Sequence, residues 1–199
     1  MPKAKIIRKK AKATLDKKLF KSGWLWPLLI FIIEGAIISL LGIISPAVTA
    51  ILGVASATYY IALSRRTAEA KNLGIYFSTM KDDIVGKIIL GLLYYFYLFL
   101  WGMVPVVGIV KRYSYSMTFY IKTEHPNYTA KEAITKSREM MNGYKWKLFC
   151  LDLSFFGWYI LSFLTFGVLA FWLAPYKTAA YTHFYEELKE ARANEIIIK

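Results

Sequence analysis

The chain has 199 residues, 57% of them hydrophobic and 17% aromatic, with a formal net charge of +13. The apolar residues are gathered into long runs and the cations into the gaps between them. That is how a membrane protein partitions its residues, and it removes nucleic acid as the explanation of the basic excess. A single cysteine, Cys150, excludes an intrachain disulfide and reads as a small buried hydrophobe in its apolar run.

Residues 1–23 form a basic arm with nine cations against Asp16 alone. Ile7, Ala11, Leu15 and Leu19 recur every four residues, an apolar stripe if the arm is helical. Such an arm either lies on an anionic membrane surface as an amphipathic helix or stays an unstructured tail that sets topology.

The run 24–44 is long enough to span a bilayer, which takes about 20 residues. It is too long for the apolar part of a signal peptide and is followed at once by a second run, 46–64, so it reads as an uncleaved first span. Pro46 suits the first turn of the second helix. Arg65, Arg66, Lys71, Lys81 and Lys87 mark a cytoplasmic segment. Within it Leu73, Tyr76, Phe77 and Met80 fall at helical spacing, as in a helix lying along the interface.

A third run covers 88–104. Residues 105–121 are half apolar but hold Lys111, Arg112, Ser114 and Ser116. Placing all of 111–147 outside would export eight cations against three acids, which the positive-inside bias opposes. The stretch 105–121 therefore reads as a short, polar fourth span.

In the returned segment 122–147, Thr129 and Glu132 have capping-box spacing. Ala130, Ala133, Ile134, Ser137, Met140 and Met141 give an apolar face, and Asn142-Gly143 supplies a left-handed stop. The run 148–185, broken by Asp152 and by polar singles, fits two short spans with a turn near residues 165–167. The fold expected is all-α: a polytopic membrane bundle of about six transmembrane helices with interfacial amphipathic helices. Its parts are the arm 1–23, one membrane-embedded domain over 24–191, and a charged tail over 192–199. Both termini are expected in the cytoplasm of a bacterium, with the chain in its plasma membrane.

Several pieces of the C-terminal half carry a family resemblance. They are Ser137-Arg138, Met141-x-Gly143, Lys147-Leu148-Phe149, Ser154-Phe155, Gly157-Trp158, and Pro175-Tyr176 ahead of Phe184-Tyr185. Upstream, Tyr113-Ser114-Tyr115-Ser116-Met117 and Pro126 agree with them. Over roughly residues 85–190 the combination resembles domain of unknown function 975, a family of small bacterial multi-pass membrane proteins. The plan is also similar to the membrane domain attached to some glycerophosphodiester phosphodiesterases. The resemblance implies Ser137, Arg138, Gly143, Trp158, Pro175 and Tyr176 as motif positions. No catalytic domain is present to carry an enzyme activity over.

A charge inside a bilayer costs about 2.5–3.5 kcal/mol on insertion scales, so it signals function or pairing. Glu34, Lys111, Arg112 and Asp152 stand within the expected spans. They either neutralise one another structurally or line a polar cavity that passes an ion or binds an anionic headgroup. Ser114, Tyr115 and Thr118 share a helical face with Lys111, either lining water or packing. Arg138 reads as a snorkelling interfacial cation. Trp158, beside Gly157, reads as filling a packing notch. Trp24, Trp26, Trp146, Tyr176, Tyr181 and Tyr185 read as interfacial belt anchors.

His125 and His183 belong to no cluster with metal-ligand spacing. No glycine loop for phosphate and no nucleophile elbow is present. The sequence thus points to a non-enzymatic accessory or regulatory membrane component without a cofactor. The alternative is a small transporter or channel using the four charges. Expected partners are anionic lipid at the basic arm, and either a second copy of the chain or another membrane protein.

Overall fold

The computed structural model describes residues 4–15, 22–41, 45–67 and 73–197, and every regular element among them is helical. In chain order these are α1 (Ala4–Thr14), α2 (Ser22–Leu41), α3 (Ser45–Ser64), α4 (Gly74–Lys81), α5 (Ile84–Gly102) and α6 (Pro105–Tyr115). They continue with α7 (Thr118–Glu124), α8 (Ala130–Met140), α9 (Lys145–Leu153), α10 (Phe156–Leu164) and α11 (Ala170–Ile197). The all-α expectation holds.

Among the described residues, three helices are long and apolar enough to cross a membrane: Pro46–Ser64, Ile84–Gly102, and Lys145–Leu164, in which α9 and α10 run nearly continuously. Six was the expectation. The 105–121 stretch is divided, because α6 stops at Tyr115 and α7 begins at Thr118.

Helix α3 forms the centre and packs on α5, α4, α7 and α11. Its small residues allow close approach. A side chain at Gly91 of α5 would strike the Pro46 carbonyl oxygen and stand 2.6 Å from the Ala50 Cβ, so glycine sets that spacing. Within α3, Ala50, Ala55, Tyr59 and Tyr60 are buried.

Other local expectations hold. Thr129 and Glu132 form the reciprocal capping box at the start of α8. Gly143 has φ +77°, the left-handed conformation that ends the α8 segment. The turn after α10 places Phe166 and Gly167 at φ +49° and +84°, and the Gly167 N–H donates to the Ser162 carbonyl at 2.8 Å.

The basic arm departs from its expected place. Ile7, Ala11 and Leu15 are buried against the protein, chiefly on α11 and α9. The Arg8 guanidinium donates to the Ser154 carbonyl at 2.9 Å, and the Tyr176 hydroxyl donates to the Arg8 carbonyl at 3.2 Å. The apolar stripe is thus covered by the bundle rather than left for a bilayer. Leu19 lies outside the described residues.

Residue 192 marks no boundary either, since α11 runs through it. The Arg192 guanidinium donates to the Glu139 and Met140 carbonyls at 3.1 Å, tying α11 to the end of α8.

Candidate functional site

The polar interior is built around three carboxylates. Glu34 lies on α2, where the Ser56 hydroxyl of α3 and the Tyr76 hydroxyl of α4 both donate to its Oε1, the latter at 3.2 Å. Among the described residues no cation forms an ion pair with it. Beside it is a cavity of about 200 Å³ bordered by Gly53, Tyr60, Tyr120, Pro175 and Thr178. Tyr76 reaches Glu34 because Leu73 and Tyr76 form the buried side of short α4, which packs on α3.

Asp152 lies on α9. Its Oδ2 accepts from the Tyr113 hydroxyl at 3.0 Å and the Tyr181 hydroxyl at 2.7 Å. The Lys177 ammonium of α11 stands 3.1 Å from its Oδ1, as an ion pair without hydrogen-bond alignment. Lys177 also donates to the Tyr159 hydroxyl at 2.8 Å. In front of this group is a second cavity, about 280 Å³, bordered by Arg112, Tyr113, Lys177 and Tyr181. Both cavities touch Tyr120 and Thr178, so they lie back to back across those two side chains.

The sequence-level pairing of Lys111 or Arg112 with Glu34 or Asp152 does not form among the described residues. Lys111 turns toward α5 and lies over the Trp101 ring, 4.3 Å from its centroid, and the charges acting on it are the cations Arg138 and Lys145. Arg112 borders the Asp152 cavity but makes no hydrogen bond or ion pair among the described residues. Lys177 holds the place that was expected of them. It lies in the same apolar run as Asp152, and a cation there is as costly as the acid. That cost is the signal that could have found it.

The face of Ser114, Tyr115 and Thr118 is packed inside the protein. All three are buried, and the Ser114 and Thr118 hydroxyls return to the Val110 and Tyr115 carbonyls. The break between α6 and α7 explains the first motif position. Where the helix is interrupted, the Ser137 hydroxyl donates to the Ser114 carbonyl at 2.9 Å and accepts from the Met117 N–H at 3.2 Å. It satisfies both sides of the gap from a wholly buried position.

The other motif positions divide. Arg138 is exposed on α8. Pro175 lies within α11 beside the Glu34 cavity, where it can offer no N–H to the preceding turn. Tyr176 holds α1 and meets Phe155 edge-on at 5.2 Å. Trp158 fills no notch: it is 38% exposed, and nothing lies within 4 Å of a Cβ at Gly157. Two expected belt anchors turn inward instead. Tyr181 serves Asp152, and Tyr185 stacks on Tyr120 at 5.2 Å. Trp146 remains outside at 71% exposure, and the Trp24 side chain lies outside the described residues.

The third carboxylate, Glu124 at the end of α7, stands at the charged end of the bundle. Arg65 and Lys189 both pair with its Oε1, Lys189 at 2.7 Å, and the Tyr185 hydroxyl donates to its Oε2 at 2.6 Å. Burial pushes the carboxyl up, but the hydrogen bonds from Lys189, Tyr185 and Arg65 outweigh it and hold the pKa at about 2. Nearby, the buried Lys122 ammonium donates to Asp83 at 2.6 Å and to the Pro126 and Tyr128 carbonyls. Hydrogen bonding from Lys122 draws the Asp83 pKa down. This end is saturated with structural partners.

Residues 1–192 match the family described as protein of unknown function (DUF975), which extends the resemblance of residues 85–190 over nearly the whole chain. No curated protein matches the chain. No solved structure matches it.

Proposed function

The chain belongs to the DUF975 family, and we propose that it is a multi-pass protein of the bacterial plasma membrane acting as a non-enzymatic accessory component there. The observation that carries the membrane reading is the outward face of the helices. Only 17% of the Ile84–Gly102 span and 22% of the Lys145–Leu164 span are buried in the protein. Phe99, Val106, Phe163 and Phe166 stand out at 74%, 74%, 84% and 100% exposure. Apolar surface of this extent is unstable in water, at about 25 cal/mol per Å², and marks a lipid or partner contact. Meanwhile Lys87, Lys122 and Thr182 are buried, the reverse of a soluble protein.

Six passes in this reading are α2, α3, α5, residues 105–121 across α6 and the start of α7, α9 with α10, and the first part of α11, with both termini cytoplasmic. The placement of the cations along the sequence, with none in the expected outer turns, supports it. The non-enzymatic role is supported by the engagement of Asp152 and Glu124 with structural partners. Anionic lipid at the arm would be met by the exposed Lys5, Lys9 and Lys12, through charge alone. One observation favours a second reading, a small transporter: the two cavities adjoin across Tyr120 and Thr178, and among the described residues no cation pairs with Glu34. Ion uptake into proteoliposomes that Glu34→Gln abolishes would decide for that reading.

The topology test uses the full chain with Cys150→Ser as background. Cysteines at Met103 and Val168 are expected to react with an impermeant thiol reagent added outside intact cells, and one at Lys136 only after lysis. Labelling at Lys136 in intact cells overturns the six-pass arrangement.

A further inference from the structure

Glu34 borders a cavity of about 200 Å³ whose described wall contains no cation. The Ser56 and Tyr76 hydroxyls both donate to its Oε1, and Oε2 takes no hydrogen bond among the described residues. Four aromatic side chains, Phe31, Tyr60, Phe119 and Tyr120, border the same space. We propose that this cavity binds a small organic ammonium ion, its charge on the Glu34 carboxylate and its carbon against the rings. The inference goes beyond the accessory role and holds whether or not the ion is carried across.

Charge sets the sign of the ligand. A carboxylate withdrawn from water calls for a compensating positive charge. Among the described residues the fold brings none to Glu34. Lys177 borders the neighbouring cavity, but it is paired with Asp152 and donates to the Tyr159 hydroxyl. A zwitterion, such as a phospholipid headgroup or an amino acid, fits less well. Its anionic group would meet Glu34 with no cation in the described wall to receive it.

The lining sets the chemical class. A hard metal cation takes a shell of about six oxygens or more. Here the Ser56 hydroxyl is turned to Glu34 and the Thr178 hydroxyl to the Ala174 carbonyl. Ile30, Phe31, Ala57, Phe119 and Pro175 offer the cavity only carbon. Aromatic rings with one carboxylate instead match an ammonium that carries alkyl groups, because ring quadrupoles attract cations and carbon packs on carbon. Glycine helps to shape the wall: a Cβ at Gly53 would stand 3.1 Å from the Phe119 ring. Pockets for drug-sized ligands run to about 300–1,000 Å³, so this smaller space suits a cation of few atoms.

The test uses the purified full chain in a neutral detergent and equilibrium dialysis against labelled choline. Competitors are tetramethylammonium, sodium, and 3,3-dimethyl-1-butanol, which has the shape of choline without its charge. Choline is expected to bind and to be displaced by tetramethylammonium, with sodium and the neutral alcohol much weaker. Glu34→Gln should weaken choline about tenfold or more, as expected for loss of a charged partner. Phe31→Leu, which keeps an apolar wall but removes a ring, should weaken it about twofold to fivefold. No choline binding, or binding unchanged by Glu34→Gln, overturns the proposal. Equal competition by the neutral alcohol shows a merely apolar cavity and overturns it. Preference for sodium shows a metal-ion site and overturns it too. If thiol labelling reports the six passes while choline is not held, this inference alone fails.

Discussion

Glu124 and Glu34 are carboxylates withdrawn from water in two regions of one bundle, and their surroundings differ in kind. Around Glu124, α7, the end of α3 and α11 bring together two cations and a phenol, and the carboxyl is held ionised down to about pH 2. Around Glu34 there are two hydroxyl donors, no ion-paired cation among the described residues, and an adjoining cavity. A fully neutralised carboxylate is a fastener. One given only hydroxyls beside a cavity is not held by opposite charge. The difference separates the end of the molecule that holds it together from the part where activity is to be sought.

The largest expected effect tests the fastener. Glu124→Leu removes the anion that Arg65 and Lys189 share and leaves Arg65 only Glu186. We expect a loss of roughly 2–4 kcal/mol in detergent unfolding, less than for a fully buried pair because both cations keep access to water. The pH dependence has a definite sign. A carboxyl whose folded pKa is depressed stabilises the fold above its ordinary value of 4.5, and that stabilisation is lost as pH falls toward about 2. Glu124→Gln should flatten the acid limb of stability over this window. An unchanged acid limb would remove Glu124 from its role as fastener.

A smaller effect belongs to the junction between the two regions. Ser137→Ala deletes the hydroxyl that serves both the Ser114 carbonyl and the Met117 N–H at the break between α6 and α7. Leaving them unpaired should cost about 1–3 kcal/mol. Backbone amide exchange should rise at Met117 first. Ser137→Thr, which keeps the hydroxyl, should restore much of the protection if its extra methyl is accommodated.

What was legible in the sequence follows from range. The capping box at Thr129 and Glu132, the turn at Gly167 and the start of α3 at Pro46 are set by neighbours a few residues apart, and they were read correctly. The stripe of Ile7, Ala11 and Leu15 was legible as a face, but periodicity does not say what covers it, and α11 does. Asp152 was legible as a costly charge. Its partners Tyr113, Tyr181 and Lys177 were not, because helix rotation decides which of several polar groups meets it. Arg65, Glu124 and Lys189 are brought together only by tertiary packing, and no local pattern announces such a cluster.

The smallest expected effect sharpens the comparison most. Glu34→Gln keeps an oxygen to accept from Ser56 and Tyr76, and the amide group it introduces faces a cavity of about 200 Å³ with room for water. No ion-paired cation is stranded by the change. Stability should therefore stay within about 1 kcal/mol of the parent, the scale of one exchanged hydrogen bond. The measurement is the unfolding midpoint in the same detergent as the Glu124 variants. A loss as large as that of Glu124→Leu would mean that an ionised Glu34 is essential to the fold. Glu34 would then be a second fastener, and the contrast between the regions would fail. A stable Glu34→Gln protein is also the one in which ligand binding or ion uptake can be measured without damage to the fold. The same substitution therefore gives the cleanest separation of structure from function at this carboxylate.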